Sequence, residues 1–122
     1  MGSHNQRLGK RGEAAAANFL ASQGYTVLGE NLRTPYGEID LLAEDAGMLV
    51  FVEVKTRTST TFGAPEEAVT PAKLTHMHEA ALHLIDTQPE TYGDRPFRFD
   101  VIAVFAPPGG KPQIRHIVDV RP

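Results

Sequence analysis

The chain has 122 residues, no cysteine, and a formal net charge of −3 with a pI near 5.9. That length suits one domain around one core, the missing cysteines exclude disulfides, thiolate metal sites and cysteine nucleophiles, and no apolar run approaches the roughly 20 residues of a membrane span. An acidic balance argues against nucleic-acid binding through bulk charge, so such a partner would need a local patch.

A reducing cytoplasm suits this composition. The opening "MGSH" reads as an expression scar, so residues 1–6 are set aside as a disordered or foreign start, and 7–122 are taken as a single domain. From Arg7 to Gln23, Leu8, Gly12, Ala15, Ala16, Phe19 and Leu20 recur at helical spacing, and Gly24 is a natural stop. The start of this helix carries Arg7, Lys10 and Arg11 with no acid among residues 1–12, which makes it the candidate basic patch. "YTVLGENLR" predicts a first strand with Tyr25, Val27 and Leu28 toward the core. "YGEIDLLAE" alternates as a second, and an Asp45-Ala46-Gly47 turn leads into a third, so residues 36–57 form a hairpin.

Thr58 to Thr70 is polar, with Gly63 and Pro65, and reads as a loop. Thr70 then offers an N-cap hydroxyl and Pro71 a first helical residue, and Leu74, Met77, Ala81, Leu84 and Ile85 make one apolar stripe that ends near Thr87. "DTQPETYGDRP" is a connecting loop. "FRFDVIAVF" (97–105) reads as a central strand buried on both faces, and "QIRHIVDV" as a short last strand. The order α-β-β-β-α-β-β describes an α/β sandwich around a sheet of mixed strand direction.

"FVEVKTR" places opposite charges inside an apolar strand. Alternation puts Val50, Val52 and Val54 on one face and Phe51, Glu53 and Lys55 on the other. The short turn can bring Asp40, two residues after Glu38, beside Glu53. Two ionised carboxylates side by side repel unless a cation sits between them, and hard oxygen ligands suit Mg²⁺ or Mn²⁺, whereas the five histidines lie outside this cluster. Such an ion against a phosphodiester supports hydrolysis, with the Lys55 ammonium offsetting the charge that builds. The bland alternative is a weak salt network on a half-exposed sheet face, and pattern alone leaves both open.

The pieces "GKRGEAAAANFLASQGYTVLGENLR", "YGEIDLLAED", "LVFVEVKTR", "FGAPEEAV", Lys73 and "RFDVIAV" cover most of residues 9–105. In order and spacing they resemble the YraN-like family of predicted endonucleases, within the restriction-endonuclease-like PD-(D/E)xK superfamily that includes archaeal Holliday junction resolvases. The resemblance implies a three-layer sandwich with a mixed central sheet and Mg²⁺ or Mn²⁺ as cofactor. It makes Asp40, Glu53 and the Glu13 of "RGE" metal carboxylates and Lys55 the active-site lysine. Glu-Ile-Asp replaces the superfamily's Pro-Asp, and Glu38, on Asp40's face, reads either as an acid behind the ligands or as a strand-face charge.

Arg33, Arg57 and Lys73, with Arg7, Lys10 and Arg11, could bind phosphates, although each alone is more often a solvated charge. Asp100, inside a buried strand, needs a partner such as an arginine. His76 and His83, with Glu79, read as surface or core-edge residues. The expected partner is DNA, branched DNA by the resolvase resemblance alone, and a homodimer stays open because no sequence feature marks an interface. The rival readings are a non-catalytic nucleic-acid-binding module on a nuclease-like scaffold and a protein-interaction domain.

Overall fold

The computed structural model describes residues 3–58 and 69–121, with side chains from Arg7 onward. Among the described residues eight elements follow one another: α1 (Ser3–Ser22), β1 (Thr26–Thr34), β2 (Gly37–Asp45), β3 (Met48–Arg57), α2 (Pro71–Thr87), α3 (Pro89–Tyr92), β4 (Phe97–Phe105) and β5 (Gln113–Ile117). The five strands form one mixed sheet in the order β1-β2-β3-β4-β5. Neighbours are antiparallel except β3 and β4, which run parallel and so require the crossover that α2 and α3 supply.

Local chemistry explains most of the boundaries. Helix α1 stops at Gly24, whose φ of 91° is open to glycine, and the Tyr25 N–H returns to Leu20 O at 3.0 Å. Ala46 (φ 51°) and Gly47 (φ 90°) are both left-handed, as a two-residue hairpin turn between β2 and β3 demands. Thr70 caps α2 by accepting from the Lys73 N–H at 3.2 Å, with Pro71 in the first turn.

Each face of the sheet carries its own core. Ala16 and Leu20 of α1 pack on Leu41, Ala43, Val50, Val52, Val54, Ile102 and Val104. Leu74, Met77, Ala81 and Leu84 of α2 pack on Ile39, Leu42, Leu49, Phe51 and Phe99. Even-numbered residues of β3 therefore face α1 and odd-numbered ones α2, and Phe99 to Val104 of β4 are buried, as a strand covered on both sides must be. No described helix is long and apolar enough to cross a membrane.

The structure corrects four sequence-based boundaries. Helix α1 reaches back to Ser3, into the segment set aside as a scar. Leu28 is 44% exposed, because β1 shifts register between Val27 and Gly29 and leaves it outside the ladder. The segment expected as a loop before β4 contains the short helix α3, entered through Pro89. Strand β5 ends at Ile117, three residues early. Of the loop expected over Thr58 to Thr70, residues 59–68 lie outside the described residues.

Asp100 has no exposed surface, and Arg98 Nε (3.0 Å), His116 Nε2 (2.7 Å) and the Asp119 N–H (2.9 Å) surround it. Arg98 also donates to the Tyr25 hydroxyl at 2.8 Å, tying the start of β1 to β4. The arginine partner expected for this carboxylate is present, and Asp100 is structural.

Close approach of α1 to β3 depends on Gly12, where an added Cβ would lie 1.9 Å from Thr56 Oγ1 and 2.8 Å from its Cγ2. Threonine is stiff, so the backbone must move. Gly12→Ala is expected to cost about 1–3 kcal/mol in urea unfolding, with Thr56→Ala restoring part of it. Equal stability of Gly12→Ala and the parent would contradict this packing.

Candidate metal and phosphate site

The ladder between β2 and β3 runs from Asp45↔Met48 to Leu41↔Val52. Beyond that point β2 stays paired with β1 as far as Thr34↔Gly37, and β3 stays paired with β4 as far as Arg57↔Phe105. The sheet forks. Ile39 belongs to the α2 core and Leu41 to the α1 core, although strict alternation would put both on one face. Asp40 sits at this break, and its Oδ2 accepts the Val54 N–H at 2.8 Å, so a side chain replaces the missing strand partner.

Three acids meet here. Ligand oxygens of Glu13, Glu38 and Asp40 lie within 4.8 Å of one another. Glu13 comes from α1, on the turn that Gly12 holds against β3. The Asn31 amide nitrogen, turned toward the acids, donates to Glu13 Oε1 (3.1 Å) and Glu38 Oε1 (2.9 Å). Burial first, then the Asp40 carboxylate, raise the Glu13 carboxyl above its ordinary value, against the Asn31 bond.

Glu53 stands outside that trio and meets it through Asp40, from the α2 side. It is buried, and its Oε1 lies 3.7 Å from Lys73 Nζ. Burial, a hydrogen bond with the Asp40 side chain and the Asp40 charge push its carboxyl up to about 8, although Lys73 and Lys55 pull the other way. Lys55 is half-buried. Its ammonium is held below the usual lysine range by burial and then by the adjoining Lys73.

Three recesses converge on these acids. One of about 350 Å³ holds Glu38, Asp40, Glu53 and Lys73 beneath Tyr36 and His76. A second, of about 310 Å³, is lined by Glu13, Lys55, Thr56 and Arg57, and a third, of about 460 Å³, by Lys10, Glu13, Asn31, Arg33 and Glu38. Each recess sets at least one cationic side chain beside an acid.

The structure thus brings together Glu13, Glu38, Asp40, Glu53, Lys55 and Lys73, with Lys10, Arg33 and Arg57 around them. Glu38 stands among the acids and is not behind them, with Arg33 Nε 3.8 Å from its Oε2. Arg57 Nε is buried with no hydrogen-bond partner among the described residues. Arg11 is engaged elsewhere, donating to Gly110 O at 3.1 Å, and Arg7 lines none of the three recesses.

Asn31, Tyr36 and Thr56 escaped the sequence reading. Asn31 has a φ of 51°, which asparagine tolerates and which breaks the alternation of β1, so its side-chain direction follows from no pattern. Tyr36 showed only as a strand residue. The one legible signal was its place next to "GEID", within the turn that opens the acidic strand.

These features define a mixed α/β domain with a carboxylate–lysine cluster where its sheet divides. The family model described as "Uncharacterised protein family UPF0102" matches residues 12–104. A UPF0102 protein of Syntrophomonas wolfei is 44% identical over 94% of this chain and 97% of its own length; one of Symbiobacterium thermophilum is 45% identical over 93% and 94%. The chain belongs to the UPF0102 family.

Because Glu53 binds its proton more tightly folded than unfolded, native protein carries the extra proton between the ordinary value of 4.5 and about 8. Stability from this group is full below that window and is lost as pH rises through it. In EDTA, Glu53→Gln should therefore gain on the parent from about pH 5 to about pH 8.5, at no more than about 1.4 kcal/mol per pH unit. Parallel curves of melting temperature against pH would show that Glu53 ionises normally.

Proposed function

We propose that the chain is a Mg²⁺- or Mn²⁺-dependent endonuclease that hydrolyses DNA phosphodiester bonds, on a restriction-endonuclease-like three-layer scaffold of the PD-(D/E)xK kind. The observation that carries this reading is the meeting at Asp40, on the sheet fork, of Glu13 and Glu38 on one side with Glu53 and Lys55 on the other. A mixed sheet with α1 on one face and α2 on the other supports the scaffold.

The donor set fits a hard divalent cation. All the acids are oxygen donors, and Glu53 retains a proton up to about pH 8 where a cation could take its place. Glu13, Asp40 and Glu53 would hold the ion, with Glu38 close enough to share it. When bound, such an ion polarises a phosphoryl oxygen and acidifies water.

The chain's own groups do the rest. Lys55 lies beside the acids with its proton loosened by burial and by Lys73, which suits it to orient the attacking water. Lys73 offers an ammonium to the oxygens of the same phosphate, and Lys10, Arg33 and Arg57 can hold the phosphates on either side. Branched DNA as the preferred substrate rests on the resolvase resemblance.

Labelled linear, flap and four-way-junction DNA, each with Mg²⁺, Mn²⁺ or EDTA, tests the proposal. Cutting should require metal and fall about a hundredfold or more in both Asp40→Asn and Lys55→Ala. Metal-independent binding with no cutting would favour the non-catalytic module. Equal cutting by parent and variants would place the activity elsewhere.

A further inference from the structure

Resting on the nuclease reading, we propose that Tyr36 is a stacking wall for one unpaired nucleobase, so that the site prefers strands whose base lies outside a duplex beside the bond to be cut. Among the described residues, four large hydrophobic side chains are notably exposed, and Tyr36, at 48%, is the one that is aromatic and borders the acidic recess.

The ring is presented by a rigid turn. Thr34 Oγ1 donates to Gly37 O at 2.7 Å and accepts from the Tyr36 N–H at 3.1 Å, while Gly37 takes a φ of 128° that other residues resist. His83 of α2 meets the ring at 6.0 Å and 63°, and an edge-on contact of this kind covers one face at most. A fixed aromatic with an open face is a low-entropy platform for another ring.

The recess it borders is lined by two kinds of group. Glu38, Asp40, Glu53 and Lys73 are charged and would receive a phosphate through the proposed divalent ion and the lysine, and Tyr36, Met77 and Ala80 are apolar. Its volume of about 350 Å³ lies at the small end of ligand sites, which run from roughly 300 to 1,000 Å³. That suits one nucleotide and not a double helix. A paired base is stacked inside its duplex and cannot reach a side wall, whereas a flap or single strand can turn a base outward onto an aromatic face. Stacking of this sort tolerates any base, so the selection is for strand structure and not for sequence.

Fluorescence anisotropy tests the proposal with labelled oligothymidine, a blunt duplex of equal length and a flap, in Ca²⁺ to hold back cutting. Parent protein should bind the strand and the flap more tightly than the duplex. Tyr36→Ala should weaken those two about tenfold, leave the duplex unchanged, and be rescued by Tyr36→Phe. If Tyr36→Ala changes none of the three, or all three equally, the stacking wall is wrong while metal-dependent cutting by the parent still upholds the nuclease reading. Duplex binding by the parent as tight as strand binding also overturns it. A parent that neither binds nor cuts DNA overturns both.

Discussion

The hydrogen bond from the Val54 N–H to Asp40 Oδ2, at 2.8 Å, is the contact on which the site depends. Past Leu41 and Val52 the two central strands separate, and each remains zipped to its outer neighbour. Asp40 fills the gap with a carboxylate, satisfying a backbone donor that would otherwise be costly to bury. The same bond fixes an acid between the two layers, within reach of Glu13 from α1 and Glu53 from the α2 face.

Two buried carboxylates show what the fold does with charge. Burial alone would raise Asp100, yet hydrogen bonds from His116, Arg98 and the Asp119 amide outweigh it and hold its carboxyl below the ordinary range. Glu53 is left the opposite way, pushed up by burial and then by the Asp40 carboxylate beside it. The chain therefore completes one buried network and leaves the other as a pair of acids faced by Lys73 and Lys55. Clustered acids with raised values are what the proposed metal site would use, and Lys55 and Lys73 supply the complementary charge there.

Much of this was legible in the sequence. Period-two alternation identified the faces of β3, Thr70-Pro71 marked the start of α2, and the continuous apolar run of 97–105 marked a central strand. Glu13, Asp40, Glu53 and Lys55 were all singled out before their positions were known. What the sequence could not show was the fork, because a strand that turns over at one residue has the same composition as one that does not. Nor did the sequence show Glu38 beside Glu13 and Asp40. Asn31 is invisible for another reason: its left-handed backbone redirects a side chain that simple alternation would send elsewhere.

The central claim is that these acids share one divalent ion. Crystals soaked in Mn²⁺ and measured for anomalous scattering test it most directly. The account predicts a peak at about 2.1–2.2 Å from an Asp40 oxygen and from at least one of Glu13 and Glu53. Ordered side chains at the fork with no peak among them, while Mn²⁺ occupies other acids on the surface, would contradict it.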